Sequence, residues 1–312
     1  MMKPRLLHFG PLRRSLAGAL EAYFSVANAA NAGDFSSDGS GIVAVAVSST
    51  SVRITQELFD RLPDLRVIST FGVGFDHIPV DEAHKRGILV SHTPDVLDEE
   101  VADTTVGLLL ATLREIPQAA RYVREGRWEI APYPLTRGTL RGRTVGILGL
   151  GRIGRAVGKR LEGFGIPIYY HSRRPVEGVP YGYCKTALAL AEAVDTLIVL
   201  VPGGPETANL VDAAVLDALG VDGVLINVAR GTVVDDDALL NALQEGRILG
   251  AGLDVFRDEP RVPEGLRLRD DVVLLPHAAS ASIATRRAMD DLVVANLVAW
   301  LEGRPLLTPV RR

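Results

Sequence analysis

Residues 144–154 read Thr-Val-Gly-Ile-Leu-Gly-Leu-Gly-Arg-Ile-Gly, an apolar run followed by glycines spaced Gly149-x-Gly151-x-x-Gly154. The run predicts a buried strand over 144–148, and the residues that follow predict a helix to about residue 163. In such a turn the first glycine permits the sharp bend, the second lets a pyrophosphate approach the backbone, and the third lets the helix pack closely on the strand. The helix N-terminus adds amide donors for an anion. This stretch therefore predicts a dinucleotide-binding α/β fold.

The end of the second strand indicates which dinucleotide is bound. That strand is predicted over Ile168–His171 and is followed by Ser172, Arg173 and Arg174. Sites that prefer NAD usually place an acid here to hold the ribose hydroxyls, but no Asp or Glu occurs between residues 169 and 176. Ser172 can donate a hydrogen bond to a 2′-phosphate, and either arginine can pair with it through a planar guanidinium. We therefore expect NADP, with NADPH preferred over NADH; the alternative is that both arginines are solvated surface residues.

The composition limits the class of protein. The 312 residues carry a formal net charge of -4, which argues against a general nucleic-acid surface. Cys184 is the single cysteine, so an internal disulfide framework is excluded and a reducing compartment fits. No apolar run reaches the ~18 residues that a membrane span requires, and Arg13 and Arg14 interrupt the N-terminal apolar patch, which opposes a signal peptide. We expect a cytoplasmic globular protein without membrane or nucleic-acid partners.

Short apolar runs alternate with helical patterns through most of the chain, which predicts parallel strands joined by crossover helices. The other predicted strands are Leu6–Phe9, Ile42–Val47, Val67–Phe71, Leu89–Ser91, Thr196–Val201, Val224–Val228, Gly252–Val255 and Val272–Leu275. The other predicted helices are Asp81–Arg86, Asp98–Glu115, Ala213–Leu219, Asp236–Glu245 and Ser282–Gly303. We interpret the second of these, 98–115, as a helix that crosses between two domains.

Three motifs in the second half of the chain follow predicted strands, whose carboxyl ends are where open parallel sheets bind ligands. These motifs contain Arg230, Glu259 and His277. For the reduction of a 2-keto acid, Arg230 suits a carboxylate anchor that also polarises the ketone, and His277 suits the proton donor. Glu259 could orient the histidine ring and favour its charged form. Each residue also has a structural alternative: a turn cap, a solvated loop acid and a satisfied core histidine.

Four motifs taken in order resemble those of the D-isomer-specific 2-hydroxyacid dehydrogenases: GLGRIG (149–154), INVARG (226–231), GAGLDVFRDEP (250–260) and LLPHAAS (274–280). The resemblance extends from about Leu65 to Val310. Within the family, the sequence is most similar to the branch of NADPH-dependent glyoxylate, hydroxypyruvate and hydroxyphenylpyruvate reductases. It implies an α/β protein with two Rossmann-like, doubly wound parallel-sheet domains and a cleft between them. A discontinuous, flavodoxin-like substrate-binding domain would comprise 1–95 plus 282–312, and an NADP-binding Rossmann domain would comprise 96–281. It also implies a homodimer formed through the cofactor domains, without a metal ion.

The resemblance further assigns site residues. It implies Arg230 as the carboxylate anchor, Glu259 as the partner of His277, and His277 as the acid/base. It places the backbone amides of Val73 and Gly74 against the substrate carboxylate. Asp254 would face the nicotinamide carboxamide. The remaining cofactor-lining positions implied are the three glycines with Leu150, Arg152, Ile153, Val228 and Ala229.

The sequence leaves three questions open. The enzymatic alternative is an NAD-dependent D-2-hydroxyacid dehydrogenase, which the arginine pair opposes. An alternative from another class is a nucleotide-sensing, corepressor-like binding protein that keeps the three candidate catalytic residues. The substrate side chain is not fixed among glyoxylate, hydroxypyruvate and aryl pyruvates, although Phe71, Phe75, His77, Leu97 and Tyr133 could line its pocket.

Overall fold

The computed structural model describes residues 2–11, 13–35, 38–48 and 52–311. The chain divides into two compact units, Met1–Leu97 with Ser282–Arg312, and Asp98–Ala281. Each unit is built on its own parallel sheet, so the predicted pair of doubly wound α/β sheets is confirmed. Within the described ranges, no helix is long and apolar enough to cross a membrane.

The strands of the first unit are β1 (Arg5–Phe9), β2 (Ser25–Ala29), β3 (Ile42–Val47), β4 (Val67–Thr70) and β5 (Leu89–Ser91). Those of the second are β6 (Val145–Leu148), β7 (Ile168–His171), β8 (Gly182–Cys184), β9 (Thr196–Val199), β10 (Val224–Asn227), β11 (Gly250–Leu253) and β12 (Val272–Leu274). The α-helices are α1 (Arg14–Tyr23), α2 (Gln56–Arg61), α3 (Val80–Lys85), α4 (Asp98–Leu113), α5 (Ile116–Arg124), α6 (Arg152–Glu162), α7 (Ala187–Ala193), α8 (Ala213–Leu219), α9 (Asp236–Gln244), α10 (Glu264–Arg267) and α11 (Ile283–Leu301).

The first sheet has the order β2-β1-β3-β4-β5, which is the flavodoxin-like order. Its strands β3 and β4 are almost wholly buried, because helices cover both faces and apolar side chains point to each. The C-terminal tail returns to this sheet: Val310 N–H donates to the Val90 carbonyl at 2.8 Å, and Asn296 of α11 accepts the Thr308 N–H at 3.0 Å. These bonds hold the tail against the edge strand β5 and against α11.

The second sheet has the order β12-β11-β10-β9-β6-β7-β8, and every pairing is parallel. This is the Rossmann order with one further strand beyond β11. The strand order reverses between β6 and β9, and sheets of this class bind ligands at the carboxyl ends of the strands beside such a reversal. The phosphate loop predicted over 149–154 lies at that point.

Seven elements lie outside the predicted set: the strands β2 and β8 and the helices α1, α2, α5, α7 and α10. The two strands are short edge strands with weak patterns, and none of these helices is longer than ten residues. The helix predicted over 98–115 ends at Leu113 and is followed by Glu115, whose φ of 50° breaks the helical path before α5. The residues of this helix belong to the second unit, and the helix begins directly after Leu97, where the first part of the first unit ends.

Candidate active site

The phosphate loop joins β6 to α6 and contains two kinds of glycine. Gly149 has a φ of 105°, and a Cβ built on it would lie 2.8 Å from the Leu200 carbonyl carbon. A Cβ on Gly154 would lie 2.3 Å from the Gly149 carbonyl oxygen. The fold itself therefore requires these two glycines. Gly151 differs, because a Cβ there would have nothing within 4 Å. The open space at Gly151, beside the first amides of α6, fits the approach of a pyrophosphate.

The three residues between these glycines contribute mainly backbone. Leu150 is buried and Ile153 is half-buried. Arg152 directs its side chain to another part of the second unit, where its Nε lies 3.1 Å from Oδ2 of Asp98 at the start of α4. Arg152 can therefore bind a dinucleotide through its backbone amide, which lies at the N-terminus of α6.

Ser172, at the end of β7, is tied to the phosphate loop. Its Oγ accepts the Leu150 N–H at 3.1 Å, which leaves the hydroxyl hydrogen for another acceptor. Arg173 and Arg174 follow on the surface, and neither makes a hydrogen bond or an ion pair within the described part of the chain. One hydroxyl and two unpaired guanidiniums fit a 2′-phosphate. These three side chains include no carboxylate, which is the group that accepts hydrogen bonds from the ribose hydroxyls in sites that prefer NAD.

His277 and Glu259 are brought together at the carboxyl edge of the same sheet. His277 Nδ1 lies 2.8 Å from Glu259 Oε2, and Glu259 Oε1 accepts the Phe256 N–H at 3.0 Å. The carboxylate thus orients the ring and is itself fixed by the main chain. The His277 side chain is 31% exposed, and its Nε2 makes no hydrogen bond to a described residue. The ring can therefore present Nε2 to a ligand.

Opposing effects act on the pKa of Glu259. Burial raises this pKa, whereas the hydrogen bond and charge of His277, the Phe256 amide and the charge of Arg230 lower it. The net direction is downward, so Glu259 is an ionised carboxylate at neutral pH. An ionised Glu259 can accept a hydrogen bond from the Nδ1–H group of His277 and so orient the ring.

Arg230 follows β10 in a turn that is closed by Asn227. The Asn227 side chain accepts the Ala229 N–H at 3.0 Å and donates to the Arg230 carbonyl at 3.0 Å, while Arg230 Nη1 donates to the Ala229 carbonyl at 2.7 Å. The side chains of Val228 and Ala229 are buried, so these two positions can meet a cofactor chiefly through their backbone.

Gly231 brings the Arg230 turn against the segment that carries Glu259. A Cβ on Gly231 would lie 1.9 Å from the Phe256 carbonyl carbon, a distance that no side chain tolerates. Asn227 and Gly231 belong to the motif INVARG, but the motif by itself indicates no role for either residue. Both roles are structural: Asn227 closes a local turn through Ala229 and Arg230, and Gly231 allows a close approach to Phe256, which lies far along the chain.

Asp254 shapes the turn that carries His277. Its carboxylate accepts the N–H groups of Ala278 at 2.6 Å and Ala279 at 3.0 Å, and its carbonyl accepts the His277 N–H at 2.8 Å. Burial raises the pKa of Asp254 more than these amide bonds lower it. His277 has a φ of 52°, which is strained for a non-glycine residue, and these bonds hold it there. The Asp254 side chain thus has a clear role within the protein, besides the contact with a nicotinamide that the resemblance implies.

Val73 and Gly74 belong to the first unit and follow β4. Gly72, with a φ of 122°, donates its N–H to Thr93 Oγ1 at 2.8 Å, and the His92 ring lies 2.8 Å from the Val73 carbonyl oxygen. The loop is therefore fixed through Gly72 and through a carbonyl. No hydrogen bond to a described residue uses the amides of Val73 and Gly74.

The candidate side-chain pocket residues have packing contacts. Phe71 is 3% exposed under the Arg13 guanidinium, 4.5 Å from its ring centroid, and His77 Nε2 lies 2.7 Å from Thr70 Oγ1. Tyr133 donates to Glu115 Oε2 at 2.9 Å. Leu97 is buried and Phe75 packs edge-on against His92. None of these contacts identifies the substrate side chain.

Comparison with known proteins places the chain in one family. Residues 106–279 match the description "D-isomer specific 2-hydroxyacid dehydrogenase, NAD binding domain". The chain is 47% identical over 268 residues to glyoxylate/hydroxypyruvate reductase A HPR2 of Arabidopsis thaliana. The matched region covers 86% of this chain and 85% of that protein. It is 42% identical over 309 residues to a 2-ketogluconate reductase of Gluconobacter oxydans, with 99% of both proteins covered.

Solved structures agree with this family. The chain resembles the NADPH-dependent glyoxylate/hydroxypyruvate reductase of Sinorhizobium meliloti, solved in complex with NADP and malonate. The TM-score is 0.95 at 50% identity, with 99% of each chain covered. A glyoxylate reductase from Paecilomyes thermophila has a TM-score of 0.89 at 29% identity, with 99% of each chain covered. The fold is thus retained across relatives of very different sequence.

Proposed function

The chain belongs to the D-isomer-specific 2-hydroxyacid dehydrogenase family, and from that premise we propose that it is an NADPH-dependent reductase of 2-keto acids, producing D-2-hydroxy acids. One observation carries the proposal: His277 is oriented by an ionised carboxylate and has a ring nitrogen free to meet a ligand. The substrates are glyoxylate, hydroxypyruvate or an aryl pyruvate, in line with relatives named glyoxylate/hydroxypyruvate reductase and hydroxyphenylpyruvate reductase.

Different residues of the chain bind the substrate and transfer the proton. Arg230 holds the substrate carboxylate and polarises the ketone, and the amides of Val73 and Gly74 also bind the carboxylate. Bound NADPH supplies the hydride for the carbonyl carbon. His277 gives the Nε2 proton to the ketone oxygen, and Glu259 stabilises the charged ring until that transfer.

The cofactor is held at the reversal of strand order in the second sheet. Gly151 and the first amides of α6 would hold the pyrophosphate, and the backbone of Val228 and Ala229, together with Asp254, would hold the nicotinamide end. Ser172, Arg173 and Arg174 bind the 2′-phosphate. The unused donors of these three residues support the preference for NADPH over NADH.

The protein is also a homodimer formed through its cofactor unit, located in the cytoplasm. The segment between α5 and β6 supports the dimer, because it exposes large apolar side chains, Trp128 at 66%, Ile130 at 87% and Leu135 at 97%. Light scattering coupled to size exclusion checks this: the wild type elutes as a dimer, and Ile130→Ser/Leu135→Ser shifts it toward monomer. A monomeric wild type would contradict it. The free thiol Cys184 fits a reducing compartment.

A substrate panel tests the reaction. Glyoxylate, hydroxypyruvate, phenylpyruvate and 2-ketogluconate are each offered with NADPH, and the configuration of every chiral product is determined. We expect turnover of at least one 2-keto acid and D products. NADPH binding without turnover of any 2-keto acid would favour the corepressor-like sensor instead, and L products would contradict the family assignment of stereochemistry.

A further inference from the structure

Strand β8 places a lysine at the edge of the sheet where the 2′-phosphate is proposed to bind. β7 and β8 pair in parallel with the register Tyr169↔Gly182, Tyr170↔Tyr183 and His171↔Cys184. Continued by one residue, this register sets Lys185 level with Ser172. Neighbouring strands lie about 4.8 Å apart, so the backbones of Ser172 and Lys185 emerge side by side at the carboxyl edge.

Side-chain contacts fix this juxtaposition. His171 Nδ1 lies 2.9 Å from the Cys184 carbonyl oxygen, and Tyr183 Oη donates to the Ser172 carbonyl at 3.4 Å. The Tyr170 and Tyr183 rings also pack with their centroids 5.4 Å apart. The ends of the two strands are therefore bound to each other up to the Ser172–Lys185 level.

Lys185 is available for a ligand. Its side chain is exposed, and within the described ranges it makes no hydrogen bond or ion pair. The chain from residue 178 to 191 contains no Asp or Glu, so β8 brings a positive charge to this edge without a local counter-charge. A lysine is a flexible point charge with three donors, which suits a phosphate dianion approached from one side.

We propose that Lys185 is a third cation of the 2′-phosphate site and a determinant of NADPH specificity. This inference rests on the proposed NADPH preference and extends it to a residue outside the serine–arginine segment. Arg173 and Arg174 approach the phosphate from the end of β7, and Lys185 approaches it from β8. The site then has cations from two strands, and each of them contributes to the selectivity for NADPH.

Cofactor titration of the full-length protein tests Lys185. Dissociation constants for NADPH and NADH are measured by cofactor fluorescence for the wild type, Lys185→Gln and Lys185→Arg. Lys159→Gln is the matched control, because Lys159 is also exposed and unpaired among the described residues but lies in the last turn of α6, at the opposite edge of the sheet.

We expect Lys185→Gln to weaken NADPH about three- to tenfold, with a larger loss at low salt, while NADH changes less than about twofold. Lys185→Arg and Lys159→Gln stay near wild type. An equal change for both cofactors, or no change for NADPH, would overturn the role of Lys185 while leaving NADPH dependence intact. A wild type that binds NADPH no tighter than NADH would instead refute the proposed cofactor preference and this inference with it.

Discussion

At the scale of single residues, the proposed reaction depends most on His277, which is the proton donor. It adopts a φ of 52°, is held by Asp254 and pairs with Glu259 through Nδ1. We expect His277→Ala to reduce kcat by about 10²- to 10⁴-fold, because it removes the proton donor, while the dissociation constant for NADPH changes less than about twofold. The half-buried His84 of α3 provides the control as His84→Ala. Turnover of His277→Ala near the wild-type rate would remove the assignment.

The ionisation of Glu259 makes the stability of the folded protein depend on pH. Because its pKa is lowered in the folded protein, its charge stabilises the fold at pH values above the ordinary value of 4.5. This contribution is lost as the pH falls through the lowered pKa. We expect Glu259→Gln to decrease the free energy of unfolding by about 1–3 kcal/mol at pH 7, since it removes the charge of a charged hydrogen bond. Denaturant titrations should show that this difference shrinks on acidification; a difference that is constant with pH would contradict the pairing.

The arginine pair sets the cofactor. We expect Arg173→Gln/Arg174→Gln to weaken NADPH at least about tenfold while NADH changes little, because only NADPH carries the 2′-phosphate that the guanidiniums meet. Arg124 and Arg141 are exposed, and neither guanidinium makes a hydrogen bond or an ion pair to a described residue, so Arg124→Gln/Arg141→Gln is a control of equal charge. Equal losses for both cofactors would show that Arg173 and Arg174 are solvated surface residues.

At the scale of elements, the phosphate loop contains one glycine that is needed for cofactor binding and another that is needed for folding. Gly151→Ala places a Cβ in open space at an extended backbone, whereas Gly154→Ala drives one into the Gly149 carbonyl. We expect Gly151→Ala to keep the wild-type melting temperature but to lose at least about tenfold in NADPH affinity. Gly154→Ala should lower the melting temperature by several degrees.

Gly107→Ala within α4 is the control for this pair, because it also adds a Cβ with nothing within 4 Å but lies away from the loop. It should leave NADPH affinity near wild type and should not lower the melting temperature, since alanine favours a helix more than glycine does. An unaltered affinity in Gly151→Ala would show that the pyrophosphate does not pass over this glycine.

The elements also show what sequence could reveal. Runs such as Ile42–Val47 and Ile168–His171 were predicted with their observed bounds, because continuous apolar residues indicate buried strands. The edge strand Ser25–Ala29 was missed, since its pattern is weak and its pairing with β1 depends on the fold. The motifs identified Arg230, Glu259 and His277, but the contacts of Gly231 and Asp254 depend on long-range approach that local spacing does not encode.

At the scale of the molecule, each unit has its own core, and His8 makes the first one sensitive to acid. His8 is fully buried in β1; burial and then the charge of Arg13 lower its pKa to about 4, while Asn28 and Asp290 act in the opposite direction. The unfolded chain takes up a proton near pH 6.5, so stability is complete above that value and is lost between pH 6.5 and 4. We expect a loss of at most about 3 kcal/mol in the free energy of unfolding.

Trp300 of α11 lies in the first unit and Trp128 in the second. In a Trp128→Phe background, Trp300 fluorescence during urea titration at pH 7 and pH 5 therefore follows the unit that contains His8. His8→Gln should weaken the dependence on pH. A dependence unchanged by that substitution would assign the acid sensitivity to other groups.

The proposed function is tested most directly by the ratio of kcat/KM for NADPH to that for NADH, measured on the wild-type protein with glyoxylate and with hydroxypyruvate as fixed substrates. The geometry at Ser172, Arg173 and Arg174 and the His277–Glu259 pair predict turnover with a ratio of at least about ten in favour of NADPH. A ratio of one or below, or no oxidation of either cofactor, would contradict the proposal that this is an NADPH-dependent 2-keto acid reductase.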